Sequence, residues 1–185
     1  MPTFYNFREN GLDYSFDDIF VPADLFRDGN LFTWGAGSSG QLGDNTTTTK
    51  STPVTTFAGG TNWKQVSAGI YHCAAIKTDG TLWTWGAGFS GQLGDNTTTS
   101  KSTPVTTFAG RTNWKQVGSG GNSNCAAIKT DGTLWTWGSN AEGKLGTNGG
   151  GNRNTPVTTF AGRTNWKQVS MNGPVLAVTY IDSVL

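Results

Sequence analysis

The sequence predicts an all-β protein made of about three β-propeller-type blades per chain. Three observations carry this prediction. Leu31-Phe-Thr-Trp-Gly35 recurs at residues 82–86 and 134–138, which are spacings of 51 and 52 residues. Asp-Gly dipeptides lie between extended apolar runs, a pattern typical of tight β-hairpins. Gly accounts for 27 of 185 residues, in a background of Thr and Asn that disfavours helices. A repeat of this length is typical of blades that bury their faces against one another.

The first twenty residues do not match the repeat. Aromatic side chains alternate there with acidic residues, a composition that favours a docking arm over a blade. We therefore expect an N-terminal arm over residues 1–20 and a β-repeat domain over residues 21–185, with repeat landmarks at 31, 82 and 134. The candidate partner-docking residues of the arm are Phe4, Tyr5, Phe7, Tyr14, Phe16 and Phe20.

Each repeat contains several candidate strands. Trp63–Val66 is one, and Cys73–Ile76 is a second whose small apolar residues suit a strand covered on both faces. Thr81–Trp85 alternates with the period of two expected for a strand. A long loop is expected from Gly86 to about Thr107, because Pro104 excludes a central strand there.

Glycines are expected at the turns that connect these strands. The Asp-Gly pairs place Gly80 and Gly132 in hairpin turns, where a positive φ favours glycine. Gly29 follows Asp28 in the same position of the first copy and is expected to be a structural turn as well.

Two further motifs identify a family resemblance. Trp34-Gly35 is followed by Gly40-Gln-Leu-Gly43, and the second copy repeats this pattern at residues 85–94. Together with the segment 69–80, these motifs resemble the repeat of the RCC1 (regulator of chromosome condensation) family. The resemblance implies RCC1-like β-propeller blades. It implies no particular function, since propellers support many roles.

The two ends of the repeat array are incomplete in complementary ways. The N-terminal side offers the later strands of a blade and the C-terminal side offers the earlier strands, and unpaired strand edges invite pairing with another chain. We therefore expect oligomerisation to close the ring, with two copies giving about six blades. The rival arrangement is an open array attached through the arm. The candidate residues for inter-chain strand pairing are Leu31, Phe32, Trp34, Val175, Leu176, Val178 and Tyr180.

The sequence offers little catalytic chemistry, and we expect no enzyme activity, cofactor or metal ion. The loops at Gly35 and Gly86 match G-x-G-x-x-G, but a nucleotide site needs a helix after the loop and none is expected here. His72 is the only histidine, and Asn124 replaces it in the next copy, which favours a structural hydrogen bond. The two cysteines, Cys73 and Cys125, occupy equivalent positions and are interpreted as small core residues.

The paired tryptophans allow two interpretations. In each Leu-Trp-Thr-Trp-Gly motif the two indoles point to the same side of the strand. They form either the core between blades, which we favour, or a sugar-stacking platform. The residues concerned are Trp83, Trp85, Trp135 and Trp137.

Charge and hydropathy exclude several partners. The net charge is +1, without the basic clustering that nucleic-acid binding needs, so no nucleic-acid partner is expected. No run approaches the roughly 20 apolar residues of a spanning helix, so no membrane insertion is expected.

The resulting functional hypothesis is a non-enzymatic structural or attachment protein. The distinct N-terminal segment and the Thr-Asn-Gly loops resemble tailed-phage virion components such as tail or capsid decoration and fibre-type proteins. The expected partners are then other copies of the chain and other virion proteins, with a host surface glycan as a further candidate, and the expected location is the virion. The first alternative is an RCC1-like protein-interaction module in a cell, with a cytoplasmic location. The second alternative is a carbohydrate-binding receptor-recognition unit.

Overall fold

The computed structural model describes residues 8–9, 12–13, 29–110, 112–121, 123–172 and 175–180. Strands dominate these ranges, and a short 3₁₀ turn covers Ala141–Gly143. The strands are β1 (Arg8–Glu9), β2 (Leu12–Asp13), β3 (Phe32–Gly35), β4 (Lys50–Thr55), β5 (Trp63–Ala68), β6 (His72–Lys77), β7 (Leu82–Gly86), β8 (Lys101–Thr106), β9 (Trp114–Gly120), β10 (Asn124–Lys129), β11 (Leu134–Gly138), β12 (Arg153–Thr158), β13 (Trp166–Asn172) and β14 (Val175–Tyr180).

The repeat array consists of two complete blades flanked by two half-blades. Strands β5-β6-β7-β8 form the first full blade and β9-β10-β11-β12 form the second, each antiparallel throughout. Strands β3 and β4 pair alone as the N-terminal half-blade, and β13 and β14 pair alone as the C-terminal half-blade. The all-β blade architecture predicted from the sequence is confirmed, and the ring is not closed within the described part of the chain.

The hairpin between β6 and β7 forms where the Asp-Gly pair predicts it. The Gly80 amide donates to the Lys77 carbonyl at 2.9 Å, which closes the turn. The Asp79 carboxylate accepts both the backbone N–H and the hydroxyl of Thr81, and these bonds hold the pKa of Asp79 below its ordinary value. The second full blade repeats the turn at Asp131 and Thr133.

Small side chains fill the central strand of each full blade. Ala74, Ala75 and Ile76 of β6 are completely buried, and β10 repeats the same residues in the same state. Because a neighbouring layer packs on both faces of these strands, only small side chains fit between the layers. The prediction of a strand covered on both faces is confirmed.

The outermost strand of each full blade corrects the sequence prediction. The segment from Gly86 to about Thr107 was expected to be a loop, yet Lys101–Thr106 forms β8 and contains Pro104. It pairs only with β7, so it is an edge strand. Proline lacks an N–H to donate, which an edge strand tolerates on its unpaired side.

Tryptophans of the full blades pack in the cores between successive blades. Trp63 meets Trp83 and Trp85 edge to face, with ring centroids 6.2 and 6.1 Å apart. Trp85 is fully buried, as is its counterpart Trp137 in the second full blade. Trp83 and Trp135 are half-buried and pack against the same clusters, which supports the favoured core interpretation of these indoles.

Strands β1 and β2 form a two-stranded sheet of their own. The aromatic residues proposed for the docking arm, Phe4, Tyr5, Phe7, Tyr14, Phe16 and Phe20, lie outside the described residues, so the arm stays a prediction. No helix in the described ranges has the length and apolar character needed to cross a membrane.

Candidate interaction surfaces

The joint between the two full blades defines how blades recognise one another in this chain. The first full blade presents Ala74, Ile76 and Leu82 to the second, and we call this side of a blade its forward face. The second full blade packs against this face with its own backward face, which consists of Trp114, Val117, Cys125, Ala127 and Trp137. These side chains are all 3% exposed or less, so the joint is a packed apolar core.

A glutamine side chain ties the backbones of adjacent blades together. Gln65 of β5 donates from Nε2 to the Val117 carbonyl at 3.0 Å and accepts the Val117 N–H on Oε1 at 3.1 Å. One amide therefore satisfies both backbone groups of a buried residue in the next blade. Gln116 repeats part of this contact, because its Oε1 accepts the Val169 N–H at 2.9 Å.

An indole of each blade reaches into a loop of the preceding blade. Trp85 Nε1 donates to the Gln41 carbonyl at 2.9 Å, and Trp137 Nε1 donates to the Gln92 carbonyl at the same distance. Glycine is required beside each indole, since a Cβ on Gly43 or Gly94 would lie only 2.8 Å from the indole nitrogen. The Gly-Gln-Leu-Gly motif is therefore a socket for the tryptophan of the next blade.

The G-x-G-x-x-G loops serve this joint. The Gly40 amide donates to the Gly37 carbonyl, forming a tight turn, and strand β4 is the next regular element after the loop. Asn45 of the same loop donates its N–H to the Ser102 carbonyl in the next blade at 2.9 Å, and Asn96 does the same to Asn154. The loops bind protein backbone rather than presenting a helix N-terminus to a phosphate.

His72 and Cys125 meet at the centre of the joint. His72 Nε2 lies 3.2 Å from Cys125 Sγ, and the Ser119 hydroxyl lies 3.8 Å from the same sulfur. Burial lowers the pKa of His72 to about 4 and raises the pKa of Cys125 to about 12. The imidazole is thus a poor base and the thiol a poor nucleophile at neutral pH. The geometry matches the structural hydrogen bond expected for His72.

Cys73 resembles Cys125 in its environment. It is buried in a cluster with Leu31, Trp63, Ala75 and Trp85, and burial raises its pKa to about 12. Both cysteines are free thiols. Among the described residues, no group of three or more His, Cys, Asp or Glu side chains is arranged to hold a metal ion.

The N-terminal half-blade leaves the first full blade partly uncovered. A cavity of about 360 Å³ opens beside Phe32, Trp34, Val66, Ile70 and Cys73. Trp34 occupies the same motif position as Trp85 and Trp137 but is 61% exposed, whereas they are fully buried. In the part of the chain that the structure describes, β3 and β4 are the strands of this half-blade.

The C-terminal half-blade leaves a second cavity of about 370 Å³. Its lining includes Lys144, Gly146, Trp166, Leu176 and Val178. Gly146 holds the position of Gly43 and Gly94 and has the same left-handed backbone, with φ of 61°. Among the described residues no indole lies within 4 Å of a Cβ added there, which would meet only Thr159 Cγ2 at 3.9 Å. This socket for a tryptophan is empty.

The residues predicted to pair between chains are divided between the two half-blades. Leu31 is buried against the first full blade, and Phe32 is 48% exposed. Leu176 and Val178 are half-buried, and Tyr180 packs edge to face on Trp166 at 5.8 Å. Val175 pairs with Asn172 through the backbone. Among the described residues β3 pairs only with β4 and β14 only with β13, so the inter-chain pairing stays a prediction.

Two of the three turn glycines have the backbone predicted for them. Gly80 and Gly132 have φ of 79° and 77°, and a Cβ on either would collide with a backbone carbonyl, that of Thr112 or Thr164. Gly29 forms an antiparallel bridge with Trp63, the counterpart of the bond that Gly80 accepts from Trp114, and it has open space around its Cβ position. The residues that precede Gly29 lie outside the described part of the chain, so its turn stays a prediction.

A row of exposed phenylalanines was missed in the sequence. The motif Thr-Thr-Phe-Ala-Gly occurs three times and places Phe57, Phe108 and Phe160 at the same point after β4, β8 and β12. We call these residues the phenylalanine row. Their exposed fractions are 66%, 64% and 72%. The repetition of an aromatic inside a polar turn was the available signal.

Comparison with known proteins supports the same architecture. The family model described as the regulator of chromosome condensation (RCC1) repeat matches residues 28–76, 79–127 and 131–171. A second model of the same description matches residues 63–92 and 114–144. Each match in the first set begins in the outer half of one blade and ends in the inner half of the next, which is why three repeats give two full blades and two half-blades.

Similar sequences occur in much longer proteins. The chain is 31% identical over 136 residues to the human E3 ubiquitin-protein ligase HERC2, covering 69% of this chain and 3% of that protein. It is 33% identical over 127 residues to the Arabidopsis thaliana mitochondrial RCC1 domain-containing protein RUG3, covering 68% of this chain and 28% of RUG3.

Solved structures of the same fold also exceed this chain in length. Human WBSCR16 matches with a TM-score of 0.67 and 25% identity, over 84% of this chain and 41% of WBSCR16. Prp20p of Saccharomyces cerevisiae, a β-propeller protein, matches with a TM-score of 0.69 and 19% identity, over 83% of this chain and 40% of Prp20p. The chain spans less than half the length of each of these four proteins. On the matches to the family's repeat, which cover most of its residues, the chain belongs to the RCC1 repeat family.

Proposed function

We propose that this chain is a non-catalytic protein-interaction module that binds a partner protein through the phenylalanine row. The observation that carries the proposal is the exposure of Phe57, Phe108 and Phe160 at equivalent points of successive blade units. Aromatic residues contribute disproportionately to the binding energy of protein interfaces.

The backbone holds each member of the row in a fixed turn. The N–H of Phe57 donates to the Gly43 carbonyl at 2.7 Å, and Phe108 and Phe160 make the same bond to Gly94 and Gly146 at 2.8 Å. A side chain whose backbone is already ordered loses less entropy on binding. The row is therefore suited to a partner with apolar groups spaced like the blades.

The relatives favour this function over a virion component. The proteins named above come from human, Arabidopsis and yeast and carry the RCC1 repeat or its fold, so they lend no support to a phage tail, capsid or virion location. A cytoplasmic location is compatible with them. Prp20p is a fold neighbour described by its binding to Gsp1p and histones, and a further structure contains Kap60 bound to it. These cases support protein binding as a use of the fold.

No enzymatic role is proposed. HERC2 is named as a ligase, but the similarity covers only 3% of it. The one buried His–Cys pair described above has both pKa values displaced away from reactivity.

Affinity capture from cells of the source organism tests the proposal. Wild-type chain is compared with a variant in which Phe57, Phe108 and Phe160 are all changed to Ser. Phe89→Ser is the matched control, since Phe89 is 62% exposed but lies outside the row. We expect proteins that bind the wild type and the control and are lost from the triple variant. Binding that is identical in all three would overturn the proposal, as would row-dependent binding to a glycan array without any protein partner.

A further inference from the structure

We propose that two copies of this chain associate head to tail, with Trp34 of one copy entering the empty socket at Gly146 of the other and β3 pairing with β14. This self-association uses the two half-blades and is independent of partner binding at the phenylalanine row. A second copy of the chain fills both open cavities.

The full-blade joint supplies the template for the socket. Trp137 packs there with Trp114, Cys125, Ala127 and Leu82, and its Nε1 bonds to the Gln92 carbonyl. Each of these neighbours of Trp137 has an equivalent, at the same position of the repeat, in the lining of the C-terminal cavity. The equivalents of Trp114, Cys125, Ala127, Leu82 and Gln92 are, in that order, Trp166, Leu176, Val178, Leu134 and Lys144.

Strand registers give the pairing between chains. In the full blades Cys73 lies opposite Trp85, and Ala75 lies opposite Trp83. Strand β14 aligns with β6 and β10 through its pairing with β13, which places Trp166 opposite Tyr180 as Trp114 lies opposite Lys129. Applying the same register between chains puts Leu176 opposite Trp34 and Val178 opposite Phe32.

The N-terminal half-blade is already shaped for this pairing. Thr33 Oγ1 donates to the Leu42 carbonyl at 2.6 Å, as Thr84 does to Leu93 and Thr136 to Leu145 in the completed blades. Strand β3 therefore holds the conformation of a blade strand, although among the described strands it pairs only with β4. A preorganised strand associates at a lower entropic cost.

The N-terminal cavity is complementary to the C-terminal half-blade. Val66 is 48% exposed beside it, whereas Val117 and Val169 at the same position are buried and bonded to Gln65 and Gln116. Gln168 occupies the glutamine position of the C-terminal half-blade and is exposed. In the pair of chains, Gln168 of one copy meets Val66 of the other.

Closure follows from the number of blades. The described residues of each copy form two full blades and two complementary halves, so two copies joined at both ends form a ring of six such blades. Six lies inside the range of four to eight that propellers adopt. A head-to-tail contact of this kind closes when the rotation per blade completes a circle.

Light scattering on the purified 185-residue chain at micromolar concentration tests the association. We expect twice the chain mass for the wild type. Trp34→Ser is expected to weaken association about 100-fold, the size typical of losing a central tryptophan anchor. Phe89→Ser is the control with an equally exposed aromatic and is expected to leave association unchanged. A monomeric wild type, or a dimer that Trp34→Ser leaves intact, would overturn the proposal.

Cysteine cross-linking tests the register separately. With a mild oxidant, Phe32→Cys combined with Val178→Cys is expected to give covalent dimers on a non-reducing gel. Directly opposed strand residues approach closely enough for a disulfide, whereas a diagonal pair lies at roughly 7–8 Å. The off-register control is Phe32→Cys with Tyr180→Cys. Equal cross-linking of both pairs would reject the register. Because neither experiment alters the phenylalanine row, failure here leaves the proposed partner binding to be judged by its own test.

Discussion

Gln65 and Val117 are joined by both ends of one side-chain amide. Its Nε2 and Oε1 lie 3.0 and 3.1 Å from the Val117 carbonyl oxygen and nitrogen, across the joint between the two full blades. Val117 is 3% exposed, so water cannot replace these bonds. The repeated Trp-Lys-Gln-Val motif therefore encodes contact between blades as well as a strand.

Replacing this glutamine should loosen the joint. Gln65→Leu preserves the side-chain volume but leaves a buried N–H and C=O unpaired, so we expect the free energy of unfolding to fall by about 1–3 kcal/mol. Gln168→Leu is the matched control in the same motif, because Gln168 is exposed. It should change stability by less than about 0.5 kcal/mol in dilute protein. Urea unfolding measures both, and equal losses would show that the amide bridge contributes nothing.

Gly94 and Gly146 separate backbone strain from the socket contact. Both have left-handed backbones, with φ of 63° and 61°, so the conformational free-energy cost of alanine is the same at each position. Only at Gly94 would the added Cβ lie 2.8 Å from a tryptophan nitrogen, that of Trp137. Gly94→Ala is therefore expected to destabilise the dilute chain by about 1–3 kcal/mol more than Gly146→Ala. Identical urea midpoints for the two variants would contradict the socket.

A side chain added at the hairpin glycine Gly80 should destabilise the fold. Gly80→Val places a β-branched side chain at φ of 79° and against the Thr112 carbonyl. We expect the Tm to fall by at least about 4 °C, the shift that roughly 2 kcal/mol produces in a chain of this size. Gly29→Val should have little effect, because its Cβ position is open. A calorimetric scan that ranks the two variants the other way would place the sensitive turn at Gly29.

The sequence predicts much of the fold because the repeated motifs act locally. Asp-Gly turns, alternating tryptophans and small central strands each specify their own hairpin, and all three are where the pattern predicts them. Strand β8 was missed since the effect of Pro104 depends on whether its strand is central or at an edge. The empty socket at Gly146 and the exposure of Trp34 could not be predicted from the local sequence either. Trp34 and Trp85 have the same motif, yet their exposures of 61% and 0% depend on which neighbours are present.

Stability should depend on pH through His72. Burial lowers the pKa of His72 in the folded state to about 4 from an ordinary 6.5. Between these two pH values the imidazole is protonated in the unfolded chain and neutral in the native state. The stabilisation is therefore fully present above pH 6.5 and is lost as the pH falls from 6.5 to 4, by about 3 kcal/mol in total. His72→Asn copies the residue at position 124 and should flatten the unfolding free energy over this window. Parallel pH profiles for the two proteins would contradict a buried neutral imidazole.

Thiol labelling tests whether the His72–Cys125 pair contains an activated thiol. Cys125 lies 3.2 Å from His72 Nε2, a spacing compatible with a nucleophile and its base. The reaction needs the thiolate, yet burial raises the pKa of Cys125 to about 12 and lowers that of His72 to about 4, so the proton stays on sulfur at neutral pH. We expect iodoacetamide to leave Cys73 and Cys125 unmodified in native protein and to label both after unfolding in urea. The labelling rate in intermediate urea should then follow the unfolded fraction. Rapid modification of Cys125 in the native chain, with the rate lost in His72→Asn, would instead identify an activated thiol and reopen the question of an enzymatic role.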